Sequence, residues 1–354
     1  MEQEKGTPSR GQFNTLVQSG TANSNDFIHG TEKVVHGNGS DLADKKAWKG
    51  RAQRKVVSQA LVVQLVAIAE KNNDPECAAQ FWNTYHCQNK LVSHGGRTYG
   101  EYCKNRFCTL CNSIRKAEII NKYLPVISTW EDPQFVTLTE KAVPAEKLER
   151  WFFGVDKAFR RIRERCKKRH QRGKGLKIMG IKSLECNFNP KKKTYNPHFH
   201  LLVPNKEIAK LLKAEWLKTW TDDFAKPSAQ HMRRVKNMEK DLIETIKYGS
   251  KIFTDFDANN KGKLPPEIYV VALYNIFKAM KPYRLFERFG FNLPATTKKE
   301  VTKKAVPVTQ CEDFVFAIEV FDWINTKTGE GLTGYAPTAQ LEWLLTENMN
   351  VDLF

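Results

Sequence analysis

The spacing of apolar residues changes several times along the chain, and each change predicts a different kind of structure. Residues 1–44 are rich in Gly, Ser, Asn and Thr and have no apolar period, which predicts a mobile tail. From about residue 45 to 71 the apolar residues fall on one stripe of a helix. A further helix is predicted over residues 112–127.

Between residues 134 and 235 the pattern alternates between strands and helices. The spacing predicts a strand, a long helix, two strands, a helix and a short strand, over 134–139, 145–172, 177–188, 196–203, 206–224 and 230–235. This β-α-β-β-α-β order is that of a ferredoxin-like domain, an antiparallel sheet with helices on one face. We therefore predict an α+β fold whose other sheet face is open for a site, with a helical, cysteine-containing segment before it.

In the last third of the chain the spacing of apolar residues predicts helices and strands less clearly. Helices are predicted over 238–253 and 266–281, a polar and basic linker over 296–308, and a hairpin whose turn is 325–331. Together the patterns divide the chain into four parts, which are a tail at 1–44, a helical cysteine segment at 45–127, a sheet domain at 128–292, and a linker with a hairpin extension at 293–354.

Charge narrows the class of partner. The 354 residues include 57 Lys and Arg against 39 Asp and Glu, a formal net charge of +18. This excess favours a polyanionic partner, nucleic acid before an acidic membrane surface. Since we find neither a stretch of transmembrane length nor the apolar core of a signal peptide, we expect a cytoplasmic protein with no membrane partner. Its eight cysteines are then expected to be reduced thiols or metal ligands.

A cluster of cysteines predicts one candidate metal site. Cys103, Cys108 and Cys111 form a C-x4-C-x2-C run, and Cys87 can supply a fourth thiolate. Tetrahedral zinc takes four N or S ligands at short spacings of this kind. His86 competes with Cys87 for the fourth position, and buried structural thiols are the alternative reading. The neighbouring Arg106 would suit a phosphate contact.

Two histidines predict a second candidate site. His198 and His200 flank Phe199 on a predicted strand, so their side chains point the same way. Two imidazoles on one face can hold a divalent metal if a carboxylate or water completes the shell. A turn at 191–193 makes the preceding strand a hairpin neighbour, which offers Glu185 as the third ligand. Histidines that line a core, and a solvent-facing carboxylate, are the alternatives.

A tyrosine follows the sheet on a predicted helix. Glu244 and Tyr248 are four residues apart and so share one face, as do Lys247 and Lys251. A lone tyrosine on a helix usually packs in a core. A tyrosine hydroxyl, with its pKa of roughly 10, attacks phosphorus well only when a metal polarises the target. Tyr248 is then a candidate nucleophile, and the two lysines are candidate phosphate contacts. Glu244 could activate a water, or a second hydroxyl, in a later step that ends the reaction.

These stretches resemble the plasmid rolling-circle replication initiators of the HUH endonuclease superfamily, in the group with one catalytic tyrosine and a glutamate one helical turn before it. Residues 135–139 are similar to the first motif of that family, 196–204 to its metal motif and 244–251 to its tyrosine motif. Arg106 and the cysteines after it are similar to the family's R-x-C-P-x-C segment, although Thr109 stands in place of the proline. The resemblance covers roughly residues 85 to 290.

The resemblance implies an HUH-type nicking domain at 128–292 that cuts and rejoins DNA. It implies that His198 and His200 bind Mg²⁺ or Mn²⁺, that Tyr248 forms a 5′-phosphotyrosine and leaves a 3′-OH primer, and that Glu244 promotes the terminating cleavage. The implied partners are the double-strand origin of a plasmid, with its nick site in a hairpin or single strand, and a host helicase and DNA polymerase in the bacterial cytoplasm.

Two other functions stay open from the sequence. A non-enzymatic DNA-binding protein with structural Zn²⁺ would explain the cysteines and the charge equally well. It would not explain why the histidine pair and the Glu244–Tyr248 pair are present. Related HUH transposases and relaxases share the histidine pair, although the cysteine segment favours the replication initiator.

Overall fold

The computed structural model of the protein describes residues 32–36, 39–221, 223–246, 266–294 and 303–337. These residues belong to two compact units. The first unit draws its residues from Met1–Ala52, Gln88–Glu101 and Lys299–Ala336, and the second from Gln53–Cys87, Tyr102–Lys298 and Pro337–Phe354. Both units are thus assembled from separate stretches of chain. The four-part division made from the sequence stays a prediction.

The described residues form seven α-helices and twelve strands. The helices are α1 Lys45–Lys71, α2 Pro75–Tyr85, α3 Thr109–Ile127, α4 Leu148–Gln171, α5 Lys206–Thr219, α6 Met238–Ile246 and α7 Pro266–Met280. The strands are β1 Glu32–His36, β2 Ser40–Asp41, β3 Lys90–His94, β4 Arg97–Gly100, β5 Gln134–Thr139, β6 Gly180–Asn189, β7 Thr194–Val203, β8 His231–Arg234, β9 Phe286–Phe289, β10 Lys303–Pro307, β11 Glu312–Ala317 and β12 Asp322–Asn325. None of the helices that the structure describes is long and apolar enough to cross a membrane.

The first unit is a β-rich assembly of sequence-distant strands. Its five-stranded sheet has the order β12-β11-β3-β4-β2, and β1 pairs with β10 in a separate two-stranded sheet. Strand β1 lies where the sequence predicted a mobile tail, and β10 lies in the predicted linker. The hairpin of β11 and β12 turns at 318–321, where Phe321 has a φ of 57°. This turn was not predicted, because it contains neither Gly nor Pro to mark it. The predicted turn at 325–331 is also present, since Ile324 forms an antiparallel bridge with Gly331 and the N–H of Asn325 donates to the carbonyl oxygen of Glu330.

The second unit contains the predicted antiparallel sheet, with the strand order β8-β5-β7-β6-β9. Its chain order β5-α4-β6-β7-α5-β8 confirms the α+β prediction and the ferredoxin-like arrangement. The histidine-bearing strand β7 lies at the centre, between β5 and β6. Strand β9 extends the sheet beside β6 and was not predicted, since it has only four residues.

Alternation along β7 decides what each face of the sheet meets. Phe199 is fully buried, and its ring contacts Phe159 of α4 at 5.0 Å and Trp216 of α5 at 5.9 Å between centroids. The core of the unit therefore lies between the sheet and these two helices. His198 and His200 point to the opposite face, because side chains alternate along a strand. Helices α4 and α5 thus cover the Phe199 face of the sheet and do not cover the face that carries the histidines.

Candidate metal centres and active site

Strand register brings three predicted ligands together on one face of the sheet. Glu185 of β6 lies directly opposite His198 of β7. One carboxylate oxygen of Glu185, Oε2, is 3.8 Å from Nε2 of His198 and 3.5 Å from Nε2 of His200. The three ligand atoms all lie within 4.8 Å of one another. The hairpin turn between β6 and β7 sets this register, as the sequence predicted.

Hydrogen bonds behind the imidazoles orient both rings. Nδ1 of His198 is 2.9 Å from the carbonyl oxygen of Asn196. Because a carbonyl oxygen only accepts, this Nδ1 carries the proton, and in the neutral ring Nε2 keeps its lone pair. Nδ1 of His200 is 3.1 Å from Oγ1 of Thr137 on β5. Such outer contacts are typical of metal-binding histidines, since they fix both the tautomer and the ring angle.

Glu185 is buried and incompletely paired. It is only 5% exposed, and its second oxygen, Oε1, has no hydrogen-bond partner in the part of the chain that the structure describes. Burying an ionised oxygen without a partner costs several kcal/mol unless a cation or donor compensates. Two imidazole nitrogens and a carboxylate are a suitable ligand set for a divalent cation. The residues present therefore fit a metal at this position.

Helix α6 lies over the same face as the histidines. The ring of Phe135 contacts His200 at 5.1 Å between centroids, and the guanidinium of Arg233 lies 4.6 Å above that same ring. Arg233 in turn pairs with both carboxylate oxygens of Asp241 in α6, at 3.0 Å to Oδ2. The helix also packs against α3, β6 and β7. The histidine face is therefore partly covered, which differs from the open face predicted.

The tyrosine motif begins on this helix. Glu244 is half-buried, three residues after Asp241, so the ion pair to Arg233 holds its helical turn on the sheet. Tyr248, Lys247 and Lys251 lie outside the described residues. Their roles as nucleophile and phosphate contacts stay predictions.

The four predicted cysteines form a second group of candidate ligands. The sulfurs of Cys87, Cys103, Cys108 and Cys111 lie within 4.8 Å of one another. Cys111 is 3.7 Å from Cys87 and 3.6 Å from Cys103 between sulfurs, and Cys87, Cys108 and Cys111 are buried. Hydrogen bonds from Cys108 and Cys111 lower the pKa of the Cys103 thiol. Four sulfurs this close fit a tetrahedral zinc ion. His86 does not join them and contacts the ring of Tyr85.

Lysine 55 is a neighbour of this cluster that the sequence reasoning missed. Its side chain is fully buried, and Nζ donates to the carbonyl oxygens of Tyr85 and Cys87, both at 2.7 Å. Burial lowers the pKa of Lys55 to about 7, against an opposing effect of the thiolates. A cation here would complement the excess negative charge of four thiolates. The available signal was its place beside Val56, which belongs to the apolar stripe of α1.

Arg106 makes helix-capping contacts that the sequence did not predict. Its guanidinium donates to the carbonyl oxygens of Met280 at 2.7 Å, Lys281 at 3.0 Å and Tyr283 at 3.2 Å. The last carbonyls of a helix have no intrahelical partner, so an arginine that reaches them caps the helix. Arg106 therefore joins the cysteine segment to the end of α7, and its phosphate contact stays a prediction.

A buried carboxyl next to strand β5 has no role in either cluster. Glu140 is 5% exposed, and neither of its carboxyl oxygens makes a hydrogen bond among the described residues. Burial raises the pKa of Glu140 well above the ordinary 4.5, and the nearby indole N–H of Trp151 opposes this only in part. Glu140 therefore favours its neutral form in the folded protein.

We expect Glu140→Gln to stabilise the protein at mildly alkaline pH. Below about 4.5 the glutamate is protonated in both states, so the pKa shift costs nothing there. As pH rises above 4.5, the unfolded chain ionises first, and the wild type progressively loses folding free energy. Glutamine does not ionise, so the melting temperature of the variant should exceed that of the wild type by a few degrees at alkaline pH.

Thermal melting of both proteins across this pH range measures the effect. The difference between them should grow with pH and vanish near the ordinary glutamate pKa. A difference that stays constant at every pH would show that Glu140 is not a neutral buried acid.

Comparison with known proteins adds independent information. The sequence model of a family described as "Replication protein" matches residues 97–303, a range that holds every candidate ligand except Cys87. The chain is 31% identical to "Protein rep" of Staphylococcus aureus over 166 residues, which are 42% of this chain and 69% of that protein. It is 28% identical to "Protein rep" of Streptococcus pneumoniae serotype 2 over 190 residues, covering 47% and 56%.

A further relative extends the same likeness. The "Protein rep" of Bacillus amyloliquefaciens is 28% identical over 198 residues, which are 50% of this chain and 54% of that protein. The chain thus spans about two thirds of the first relative and little more than half of the other two. No solved structure is significantly similar to it.

Proposed function

Because the chain belongs to the replication protein family of plasmid rolling-circle initiators, we propose that it nicks and rejoins one strand of its plasmid's double-strand origin. The observation that carries this proposal is the convergence of Glu185, His198 and His200 on one point, with both rings oriented from behind. A DNA-binding protein without catalytic activity has no need of this arrangement.

We assign the histidine site to Mg²⁺ or Mn²⁺. When bound, such an ion would polarise the scissile phosphate and neutralise developing charge on its oxygens. His198 and His200 hold Nε2 toward the shared position, and Glu185 supplies the negative charge that favours a hard cation there. Their burial keeps these ligands in fixed rotamers.

Tyr248 is the proposed nucleophile. Its hydroxyl oxygen attacks phosphorus, the bond from phosphorus to the 3′ oxygen breaks, and that oxygen leaves as a 3′-OH after gaining a proton. The tyrosine then carries the 5′ phosphate, and the 3′-OH primes synthesis. Glu244, four residues earlier, is proposed to accept a proton from a second attacking hydroxyl and so end the cycle. Lys247 and Lys251 are proposed phosphate contacts.

The cysteine cluster is proposed to hold a structural Zn²⁺. Four sulfurs within 4.8 Å of each other, three of them buried, suit a closed zinc site rather than a catalytic one. The site would fix the segment in which Arg106 caps helix α7. Metal analysis of the purified protein tests this assignment, and protein without zinc that folds and melts normally would contradict it.

A nicking assay tests the proposed function. The protein is mixed with the supercoiled plasmid that encodes it and Mn²⁺, with EDTA in a parallel reaction. We expect open circles with protein attached to the new 5′ end, and none with EDTA. Tight DNA binding without nicking, in either Mg²⁺ or Mn²⁺, would favour the zinc-bearing DNA-binding protein instead. Host helicase and polymerase are the expected partners of the nicked origin, in the bacterial cytoplasm where plasmids replicate.

A further inference from the structure

The second half of helix α4 and the residues that follow it form a strongly basic stretch. Residues 157–177 contain eleven Lys and Arg and a single acidic residue, Glu164. This stretch lies on the opposite face of the sheet from the candidate active site, because Phe159 of α4 packs on Phe199 while His198 and His200 point away. Whatever the basic surface binds therefore does not sit at the nicking centre.

One set of these basic side chains holds the fold together. Arg165 and Arg169 both pair with the buried carboxylate of Glu215 on α5, at 2.9 and 2.5 Å. These contacts lower the pKa of Glu215, although burial alone would raise it. Arg163 pairs with Glu287 of β9 at 3.2 Å. Such arginines connect α4 to its neighbours and are not available for a partner. Arg160 also pairs within the helix, with Asp156 at 2.9 Å.

A second set faces solvent. The exposed members with no carboxylate partner among the described residues are Lys157, Arg161, Lys167, Lys168, Arg172, Lys174 and Lys177. Solvated lysines and arginines are common on helices, but here Glu215, Glu287 and Asp156 are already paired, and Glu164 is the single acidic residue within the stretch itself. The outer set therefore leaves a positive charge that is not neutralised locally.

Helical geometry aligns part of the outer set into a stripe. Arg161, Lys168 and Arg172 are spaced by seven and four residues, which places them on one side of α4 within about 40°. At about 1.5 Å per residue, the stripe is about 16 Å long. The major groove of B-DNA is about 12 Å wide. The stripe is thus long enough to contact phosphates on both sides of a groove.

We propose that the stripe of Arg161, Lys168 and Arg172 binds the phosphate backbone of duplex DNA next to the nick site. The choice of duplex DNA as the occupant rests on the proposed function, because an origin that is cut as a single strand is flanked by duplex arms. Contacts of this kind carry no sequence information but position the protein and add affinity. The face of the sheet that carries His198 and His200 would then bind and cut the single strand, while helix α4 on the opposite face binds the duplex.

Salt dependence of binding tests the proposal. The full-length protein binds a fluorescent duplex of mixed sequence about three helical turns long, and anisotropy is followed over a salt series without added divalent cations. The test variant is Arg161→Gln/Lys168→Gln/Arg172→Gln. The control is Lys46→Gln/Lys90→Gln/Lys304→Gln, which removes the same charge from exposed positions of the first unit.

The expected result is specific to the stripe. Each lost phosphate contact reduces the slope of log affinity against log salt by about 0.9, so the test variant should lower it by roughly 2 to 3 and weaken binding roughly tenfold or more at low salt. The control variant should keep nearly the wild-type salt slope and affinity. Both variants should have the melting temperature of the wild type. An equal loss in both variants, or none in the test variant, would overturn the proposal. So would binding of the stripe to anionic lipid vesicles but not to duplex DNA.

Nicking plays no part in this measurement. If the protein nicks no DNA but the stripe still sets the salt slope, the proposed function fails and the duplex contact stands. If nicking is normal and the test variant binds duplex like the wild type, the duplex contact fails and the proposed function stands.

Discussion

A protein with His198→Ala and His200→Ala is expected to lose strand cleavage in both Mg²⁺ and Mn²⁺. The two changes remove two of the three ligands that converge within 4.8 Å. Glu185 is then the single protein ligand left from this group and cannot hold the ion by itself. The polarisation that a bound cation supplies is worth several kcal/mol. Since about 1.4 kcal/mol corresponds to a factor of ten in rate, cleavage should fall by roughly a thousandfold or more. Nicking of supercoiled plasmid measures the loss, and Mn²⁺ binding to the protein measures its cause.

Two histidines outside the candidate site provide the matched control. His94 lies on β3, and His170 is near the end of α4, where its Nδ1 is 3.0 Å from the carbonyl oxygen of Gly175. His94→Ala with His170→Ala should leave cleavage and Mn²⁺ binding unchanged. Both double variants should still bind DNA. Full cleavage by His198→Ala/His200→Ala in the presence of EDTA would remove the metal from the mechanism.

The predictable part of this molecule is the part whose contacts are local. Strands β6 and β7 are joined by a short turn, so their register follows from the turn and the alternation of apolar residues. That register is what places Glu185 opposite His198, a pairing the sequence could suggest before any coordinates. The strand and helix order of the second unit followed in the same way from apolar spacing alone.

The rest depends on contacts between residues far apart in sequence. Strand β1 pairs with β10 across about 270 residues of chain, and neither strand has a neighbour in sequence that marks it. The burial of Lys55 was not predicted, because its partners are carbonyl oxygens, which a sequence does not display. Arg106 satisfied a family pattern, yet the unpaired carbonyls that it caps belong to a helix more than 170 residues later. Composition and spacing carry no signal for such pairings.

Tyr248→Phe is expected to abolish the covalent protein–DNA adduct while leaving DNA binding nearly unchanged. The substitution removes only the hydroxyl oxygen that would attack phosphorus and keeps the aromatic ring. The residue lies beyond the described end of α6, but the helix leading to it is held over the histidine face by the Arg233–Asp241 pair. Labelling of the DNA fragment on the 3′ side of the nick, whose new 5′ phosphate would be joined to the tyrosine, followed by denaturing electrophoresis, detects the adduct. We expect it to fall below detection in the variant.

Tyr195→Phe on the histidine strand is the matched control for this loss. Its hydroxyl accepts a hydrogen bond from Nδ2 of Asn275 at 2.9 Å, so removing it should cost about 1 kcal/mol of folding free energy. It should not reduce the adduct, because Tyr195 points to the helical face of the sheet, as Phe199 does. Loss of adduct in Tyr248→Phe alone would identify the nucleophile, since both variants remove the same atom. Normal adduct in Tyr248→Phe would show that another hydroxyl attacks, and the Glu244–Tyr248 pair would then lose its proposed role in the cycle.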